Sequence, residues 1–483
     1  MLVDHVVIGT GFSGLSISHA LQKDGADDIV ILERAPEIGG VWFKNRYPGC
    51  SCDVPSYLYA LEDMPPYNWS RRFPRRDEIH DYLKTCFRTT GLDRHIRFNT
   101  TVKKLIWLES EDRWEVSCQS GDQFKARFVY AATGQVPRPT MPDIPSLQSF
   151  EGRLFHSSDW PEDLDLAGQR VGVIGTGASG VQMVAGIAEK AAHLTVFQRN
   201  APYVFPRNDR PFHRWELRLL SSGKIWRALY RHYLYWKHEL NGIAYFSIQP
   251  LLKVVRYNTL RQVRRFLPDE STRQGATPSY APGCKRVLVN DDYYPTFAQG
   301  HVQLITAAID RVEGRQIVCA DASRHSLDIV VVATGFDGTR PMPGIEVTGR
   351  NGLSLHSHWD ENGTRAFYGT QVNQFPNLFL LIGPNVGLAH NSVLYMMESQ
   401  VRFIRNIVRW AIQAGTTAEV RADVQARFND RIDRLLRDTP WQIGGCVSWY
   451  HDRLKRNVGL WPTYTFRFRA ELDATTPASQ IAG

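Results

Sequence analysis

Two glycine-rich turns stand the same distance upstream of residues with opposite charge. The first, Gly9-Thr10-Gly11-Phe12-Ser13-Gly14, follows the apolar run Val6-Val7-Ile8, and Glu33 comes 19 residues after Gly14. The second, Gly175-Thr176-Gly177-Ala178-Ser179-Gly180, follows Val171-Gly172-Val173-Ile174, and Arg199 comes 19 residues after Gly180. Each reads as a strand–turn–helix–strand unit of the dinucleotide-binding type. Glycines let the backbone approach a pyrophosphate, and the N-terminus of the following helix stabilises the negative charge. An acid at the end of the second strand accepts hydrogen bonds from ribose hydroxyls, whereas an arginine there suits a 2′-phosphate. The first unit therefore predicts FAD and the second NADPH. Arg34, beside Glu33, belongs to the FAD-side set.

The elements that must position these groups follow from the apolar runs. The first unit ends in the strand Phe128-Val129-Tyr130-Ala131 and then Ala132-Thr133-Gly134. The second, interrupted after about residue 206, resumes near Ala281 and closes with Ile329-Val330-Val331-Val332 and Ala333-Thr334-Gly335. A Pro-rich linker is predicted from Val136 to Pro145. The expected fold class is α/β, with two Rossmann-like dinucleotide-binding domains and a helical insertion in the second. Residues 1–140 with 345–483 are assigned to the FAD-binding domain, and 150–206 with 281–340 to the NADP-binding domain. Residues 207–280 form the helical, substrate-side subdomain. The last stretch should carry the strand Leu378–Ile382, the loop Gly383-Pro384-Asn385 and a helix from Val393 to Trp410.

At 483 residues, 43% hydrophobic and 22% charged, the composition is that of a globular protein with two or three cores. No apolar run is long enough to span a bilayer, and the first strand starts too early for a signal peptide. The net charge of +8 is concentrated: residues 207–267 hold 13 Lys/Arg against three acids, leaving 44 bases and 46 acids elsewhere. Within this segment Trp226, Leu229, Tyr230, Tyr233, Trp236 and Leu240 recur at helical spacing, with Lys224, Arg227 and Arg231 between them. An amphipathic face normally packs as core, so this helix is expected to bury that face. Weak peripheral contact with a membrane surface is the alternative. Nucleic-acid binding is not expected, because no recognised module accompanies the basic residues. Seven cysteines do not read as a disulfide framework, and a reducing, cytoplasmic compartment fits.

Two further patterns narrow the chemistry. Phe150, Gly152, His156, Trp160 and Pro161 fulfil FxGxxxHxxxWP, and Gly39, Gly40, Trp42, Tyr47, Pro48, Gly49 and Asp53 fulfil [AG]GxWxxxx[FY]P[GM]xxxD. With Gly283-Cys284-Lys285-Arg286, Phe375-Pro376-Asn377-Leu378-Phe379 and Trp449-Tyr450, the chain resembles the Baeyer–Villiger monooxygenases along nearly its whole length. The resemblance implies an FAD- and NADPH-dependent enzyme that uses O2 to convert a ketone, expected to be apolar, to an ester or lactone through a flavin C4a-peroxide. Such an enzyme must keep the peroxide anionic beside a fixed cation, and arginine stays protonated at any working pH. By resemblance Arg286 is that cation, Asp53 orients it, and Lys285 joins Arg199 on the 2′-phosphate. Gly40, Val41, Trp42, Tyr47 and Asn385 belong to the FAD side of the site. His156 is expected to be structural, and Trp42 and Trp160 to pack between domains. Two other activities remain open from the residues alone. One is S- or N-oxygenation, as in the related flavin-containing monooxygenases; the other is an NADPH–flavin reductase without oxygenation. Cys50 and Cys52 invite a redox reading, but a Cys-x-Cys pair is strained as a disulfide. No metal site is expected.

Overall fold

The computed structural model describes residues 1–135, 138–446, 448–477, 481 and 482. Val136 and Pro137, the start of the predicted linker, lie outside them.

Runs of β-branched residues form central parallel strands, buried on both faces. Leu2–Ile8 lies between Ile29–Leu32 and Gln123–Ala131, with Val6 opposite both Val30 and Val129. On one side the sheet continues through Ile96–Arg97. On the other it passes through the antiparallel strands Arg113–Cys118 and Val102–Leu108 to the edge strand Glu346–Thr348. Leu378–Leu380 also pairs with Gln123–Ala131, bringing the eighth strand from late in the chain. A second sheet is parallel throughout, in the order Val302–Ile305, His193–Phe197, Arg170–Ile174, Ile329–Val332, Arg153–His156. Each glycine turn thus leaves the middle of its own sheet.

The helix expected from Val393 runs to Ala414. Ser392 Oγ accepts from the Leu394 N–H at 3.3 Å at its start, and Gly415 ends it with φ +64°. Leu394, Phe403, Ile404 and Ile407 bury one face in the core that also holds Leu15, Leu21, Tyr82 and Phe87.

Two expectations are overturned. Residues 207–280 are helical, with Arg214–Ser221, Lys224–Leu240, Gly242–Phe246, Lys253–Phe266 and Glu270–Gly275, but the predicted apolar face of Lys224–Leu240 is not core. Trp226, Leu229, Tyr233, Trp236 and Leu240 are exposed and only Tyr230 is half-buried; Leu234, Tyr235 and Glu239 point inward instead. The physical reason is polar. Arg231 donates to the carbonyl oxygens of Tyr57 and Ala60 and to Glu398, and Glu239 accepts from Asn391 and Thr465. These bonds fix the opposite side of the helix against the protein. The cysteines also depart from the all-thiol reading, because Cys284 and Cys446 are disulfide-bonded. The five others among the described residues are free and buried.

Candidate active site

The two glycine turns repeat one geometry. At Gly9 and Gly175 φ is +110°, and a Cβ would stand 2.6 Å from the carbonyl oxygen of Ala132 or Ala333. The Ala-Thr-Gly segments are therefore what the turns pack against, with Gly134 and Gly335 following at positive φ. A Cβ at Gly14 or Gly180 would meet the carbonyl of Gly9 or Gly175 at 1.9 or 2.2 Å, so the helix can start this close to its strand only with glycine. Gly11 instead faces open space, and Gly177 has nothing nearer than 4.0 Å. Neither N-cap carries a side-chain hydrogen bond, so the first N–H groups of Phe12–Lys23 and Ala178–Ala188 are free to meet an anion. Phe12, Ser13, Ala178 and Ser179 lie in these first turns. Both cradles fit a dinucleotide pyrophosphate.

The charge readers sit where the turns need them. Glu33 is buried at the end of its strand; its Oε2 accepts from Thr10 N (2.9 Å) and Oγ1 (2.6 Å), and its Oε1 from Ala35 N (2.8 Å). These bonds orient the carboxylate and leave lone pairs for ribose hydroxyls. Arg34 beside it is exposed. Arg199 is exposed at the end of its own strand, and burial together with the Arg199 charge holds the Lys285 ammonium below its ordinary value. Neither cation has a carboxylate within ion-pair distance among the described residues.

The second motif forms the contact between the two halves. Gly49 has φ +80°, and a Cβ there would stand 2.4 Å from the Gln182 carbonyl; one at Gly186 would meet Pro48 at 2.7 Å. The Tyr47 hydroxyl donates to Gln182 Oε1 at 3.1 Å and lies 3.4 Å from Ser179 Oγ. Trp42 packs on both cores and donates from Nε1 to the Tyr59 hydroxyl at 3.2 Å, while Gly40 lies against Gly11 and Val41 is exposed.

From this contact the chain leads to Asp53, whose Oδ2 accepts from Arg286 Nη2 at 2.5 Å across 233 residues. The two side chains remain 23% and 39% exposed, so the pair is neither sealed in the core nor on open surface. The charge of Asp53 raises the Arg286 pKa above its already high ordinary value, so the guanidinium is a permanent cation. Burial pushes the neighbouring Tyr450 phenol up to about 12 against the pull of Arg286, which keeps it neutral. Burial also pushes the Cys50 thiol up to about 12 and raises that of Cys52, so neither supplies a thiolate.

His156 accepts from Ser158 N at Nδ1 (3.1 Å), which places its proton on Nε2, facing the Gly335 carbonyl at 3.1 Å. It ties the strand Arg153–His156 to the second Ala-Thr-Gly segment. Trp160 packs edge-on to Phe155, against the core cluster that also takes in Tyr47 and Cys50. Asn385, at φ +58°, donates its amide to the carbonyls of Asn457 (2.9 Å) and Leu460 (3.1 Å), so its side chain braces the loop. Tyr59 and Thr10 are site residues that the sequence reading passed over. Tyr450 stood in a recognised dipeptide without a role. Only Thr10 carried a signal, being inside the turn itself. A cavity of about 1220 Å³ lies elsewhere, between Lys224–Leu240 and the first domain, lined by Tyr57, Trp69, Arg231, Trp236 and Tyr395 among others.

Residues 4–347 match the family described as flavin-binding monooxygenase-like. A Baeyer–Villiger monooxygenase of Pseudomonas aeruginosa is 37% identical over 99% of this chain and 92% of its own length. One of Streptomyces coelicolor is 38% identical over 96% of this chain and 90% of its own. The chain belongs to the Baeyer–Villiger monooxygenase family. Among solved structures, cyclohexanone monooxygenase from Rhodococcus sp. Phi1 bound to NADP+ superposes with a TM-score of 0.87 at 27% identity, covering 99% of this chain and 98% of that one. An oxidized steroid monooxygenase bound to NADP gives 0.86 at 28%, covering 98% and 97%. This Baeyer–Villiger enzyme is a flavin-dependent NADPH monooxygenase with an α/β fold.

Proposed function

We propose that Arg286 is the fixed cation of an FAD- and NADPH-dependent oxidation of a cyclic, apolar ketone to a lactone, and that Asp53 orients it. The observation that carries this reading is the 2.5 Å contact between Arg286 and Asp53, made between the two dinucleotide units. When bound, FAD supplies the oxygen chemistry and NADPH the hydride. The first turn (Gly9, Gly11, Phe12, Ser13, Gly14), with Glu33, Arg34, Gly40, Val41, Trp42, Tyr47, Gly134 and the Asn385 loop, holds FAD. The second (Gly175, Gly177, Ala178, Ser179, Gly180), with Ala333, Thr334 and Gly335, holds the nicotinamide nucleotide, and Arg199 and Lys285 take its 2′-phosphate. Residues 1–140 with 345–483 form the FAD-binding domain, and 150–206 with 281–340 the NADP-binding domain; 207–280 is their helical insertion.

Arg286 keeps its protons throughout, so it acts by placing positive charge where negative charge develops and transfers no proton. Asp53 restricts its fork to one direction. The apolar character of the substrate is supported by aromatic residues near Arg286: Tyr245, stacked on Trp441 at 5.6 Å, and Tyr450. The structural neighbours named for cyclohexanone and steroid oxidation point to alicyclic ketones. Among the described residues no helix is long and apolar enough to cross a membrane, and the proposed location is cytoplasmic. The test is Arg286→Ala assayed with cyclohexanone and a steroid ketone. FAD should remain bound and NADPH oxidation measurable while ester formation is lost. Continued ester formation would remove Arg286 from the reaction.

A further inference from the structure

The helix Lys224–Leu240 carries its apolar stripe on the outside. At 100° per residue, Ile225, Trp236, Leu229, Leu240, Tyr233 and Trp226 fall in that order within a single arc of about 100°. They are between 41% (Trp236) and 73% (Ile225) exposed. Phe466, 6.0 Å from Trp236 between ring centroids and itself exposed, adds to this stripe. Among the described residues, 12 of the 22 exposed large apolar side chains fall within residues 215–257, including Trp215, Ile248, Leu251, Val254 and Tyr257. Residues 214–265 expose Arg214, Arg218, Lys224, Lys237, Lys253, Arg256, Arg261, Arg264 and Arg265. The two acids within these bounds are withdrawn, Glu216 in an ion pair with Arg210 and Glu239 in the interior; Asp269 and Glu270, just beyond them, are exposed. A water-facing surface would not be built this way.

We infer that this face docks the enzyme on an anionic lipid surface, with the Trp/Tyr/Leu/Ile stripe entering the headgroup region and the Lys/Arg residues meeting lipid phosphates. Indole and phenol rings with aliphatic side chains between them suit the boundary between acyl chains and water. Nine exposed cations, with exposed acids only at the segment's end (Asp269 and Glu270), suit a negatively charged leaflet. A second copy of the chain is the weaker occupant on charge. A two-fold interface sets a patch against itself, bringing nine exposed cations onto nine with only Asp269 and Glu270 exposed beside them. Docking need not distort the fold, because the inward side of the helix is already fixed by Arg231, Tyr235 and Glu239. The Tyr235 hydroxyl lies 2.9 Å from Thr465 Oγ1, and Glu239 Oε1 accepts from Thr465 N at 2.6 Å.

The experiment is co-sedimentation of the FAD-loaded enzyme with vesicles of equal parts phosphatidylcholine and phosphatidylglycerol, beside vesicles of phosphatidylcholine alone. Binding is expected to the first only. It should vanish as salt rises from about 0.1 M to about 1 M, where the screening length falls from roughly 10 Å to roughly 3 Å. Replacing Lys237 or Arg256 with Gln should weaken partitioning about fivefold each. The triple variant Trp226→Ser, Leu229→Ser, Tyr233→Ser, altered only at exposed positions, should lose binding while keeping NADPH oxidation and its melting temperature. The control Ile412→Ser, Leu435→Ser, on exposed apolar residues elsewhere, should bind as the parent does. Absence of binding to anionic vesicles at low salt, or equal binding by the triple variant, overturns the inference. So does a dimer, seen by sedimentation velocity, that the triple variant abolishes without any vesicle binding by the parent.

Discussion

Arg199 and Lys285 offer the sharpest quantitative test, because both cations converge on one place without a carboxylate partner. Burial and the Arg199 charge together depress the Lys285 ammonium, burial more strongly. Such an arrangement is unfavourable until an anion arrives, and a 2′-phosphate supplies one. A hydrogen bond to a charged group contributes about 1.5–3 kcal/mol, or roughly 10- to 150-fold in affinity. Arg199 is exposed, which moves Arg199→Ala toward the lower end, about 10- to 30-fold on KM for NADPH. Lys285→Ala, at a half-buried position, should reach further up the range. NADH lacks the phosphate, so its KM should change less than about twofold in either variant. A second consequence is particular to this pair. Removing Arg199 withdraws one of the two causes that depress Lys285, so the alkaline rise in KM for NADPH should move to higher pH. It should not reach the value of a free lysine, because the burial remains. Steady-state kinetics with both nucleotides across alkaline pH measure all of this. Equal penalties for NADH and NADPH, or an alkaline limb that does not move, would refute the assignment of these cations to the phosphate.

Asp53→Asn should leave FAD bound and NADPH oxidation within a few-fold while lowering ester yield per NADPH, since the fork loses its charged orienter but Arg286 stays protonated; unchanged coupling would show that Asp53 does not orient it. Gly49→Ala puts a Cβ 2.4 Å from the Gln182 carbonyl at φ +80°, costing about 1–3 kcal/mol, and should lower the melting temperature and raise KM for NADPH together. Burial lowers the His5 pKa to about 4, beside Phe128 and Tyr130. The native state therefore stays unprotonated between about pH 6.5 and 4, while the unfolded chain takes up a proton. The stability this neutral group allows is fully present above 6.5 and falls by about 3 kcal/mol as pH drops through that window. His5→Phe should flatten this acid limb in urea titrations. Denatured, unreduced enzyme should show five titratable thiols and reduced enzyme seven, as the Cys284–Cys446 bond requires; seven in both would place those sulfurs as free thiols.

Much of the nucleotide-binding architecture is legible in the chain because its signals are local. A glycine turn, the strand before it and the charge 19 residues after it lie on one short unit, and backbone sterics force Gly9, Gly14, Gly175 and Gly180 into the same places twice. The meeting of Asp53 and Arg286 has no such local signature: 233 residues separate them, and only resemblance to a family joined them in the sequence. The Cys284–Cys446 bond is illegible for the same reason. Its partners come from segments 162 residues apart, and an odd number of cysteines favours no pairing.

The insertion helix shows a different limit. Hydrophobic periodicity shows that Lys224–Leu240 has one apolar side, but not whether that side faces protein or something else. The direction is settled by a residue that periodicity ignores. Glu239 is 2% exposed, and its carboxylate accepts from Asn391 Nδ2 at 2.5 Å, Thr465 N at 2.6 Å and Thr465 Oγ1 at 2.8 Å, with His390 Nε2 3.5 Å away. Burial alone would push this acid up; the surrounding donors outweigh it and hold it below its ordinary value. Rotating the helix to bury Trp226 and Leu229 would carry Glu239 and Arg231 out to solvent. It would leave the Asn391 and Thr465 donors, the Tyr57 and Ala60 carbonyls and the Glu398 carboxylate behind without these partners, and each buried polar group left unsatisfied costs about 1–3 kcal/mol. The polar side therefore faces inward. The apolar side is left outside by that choice.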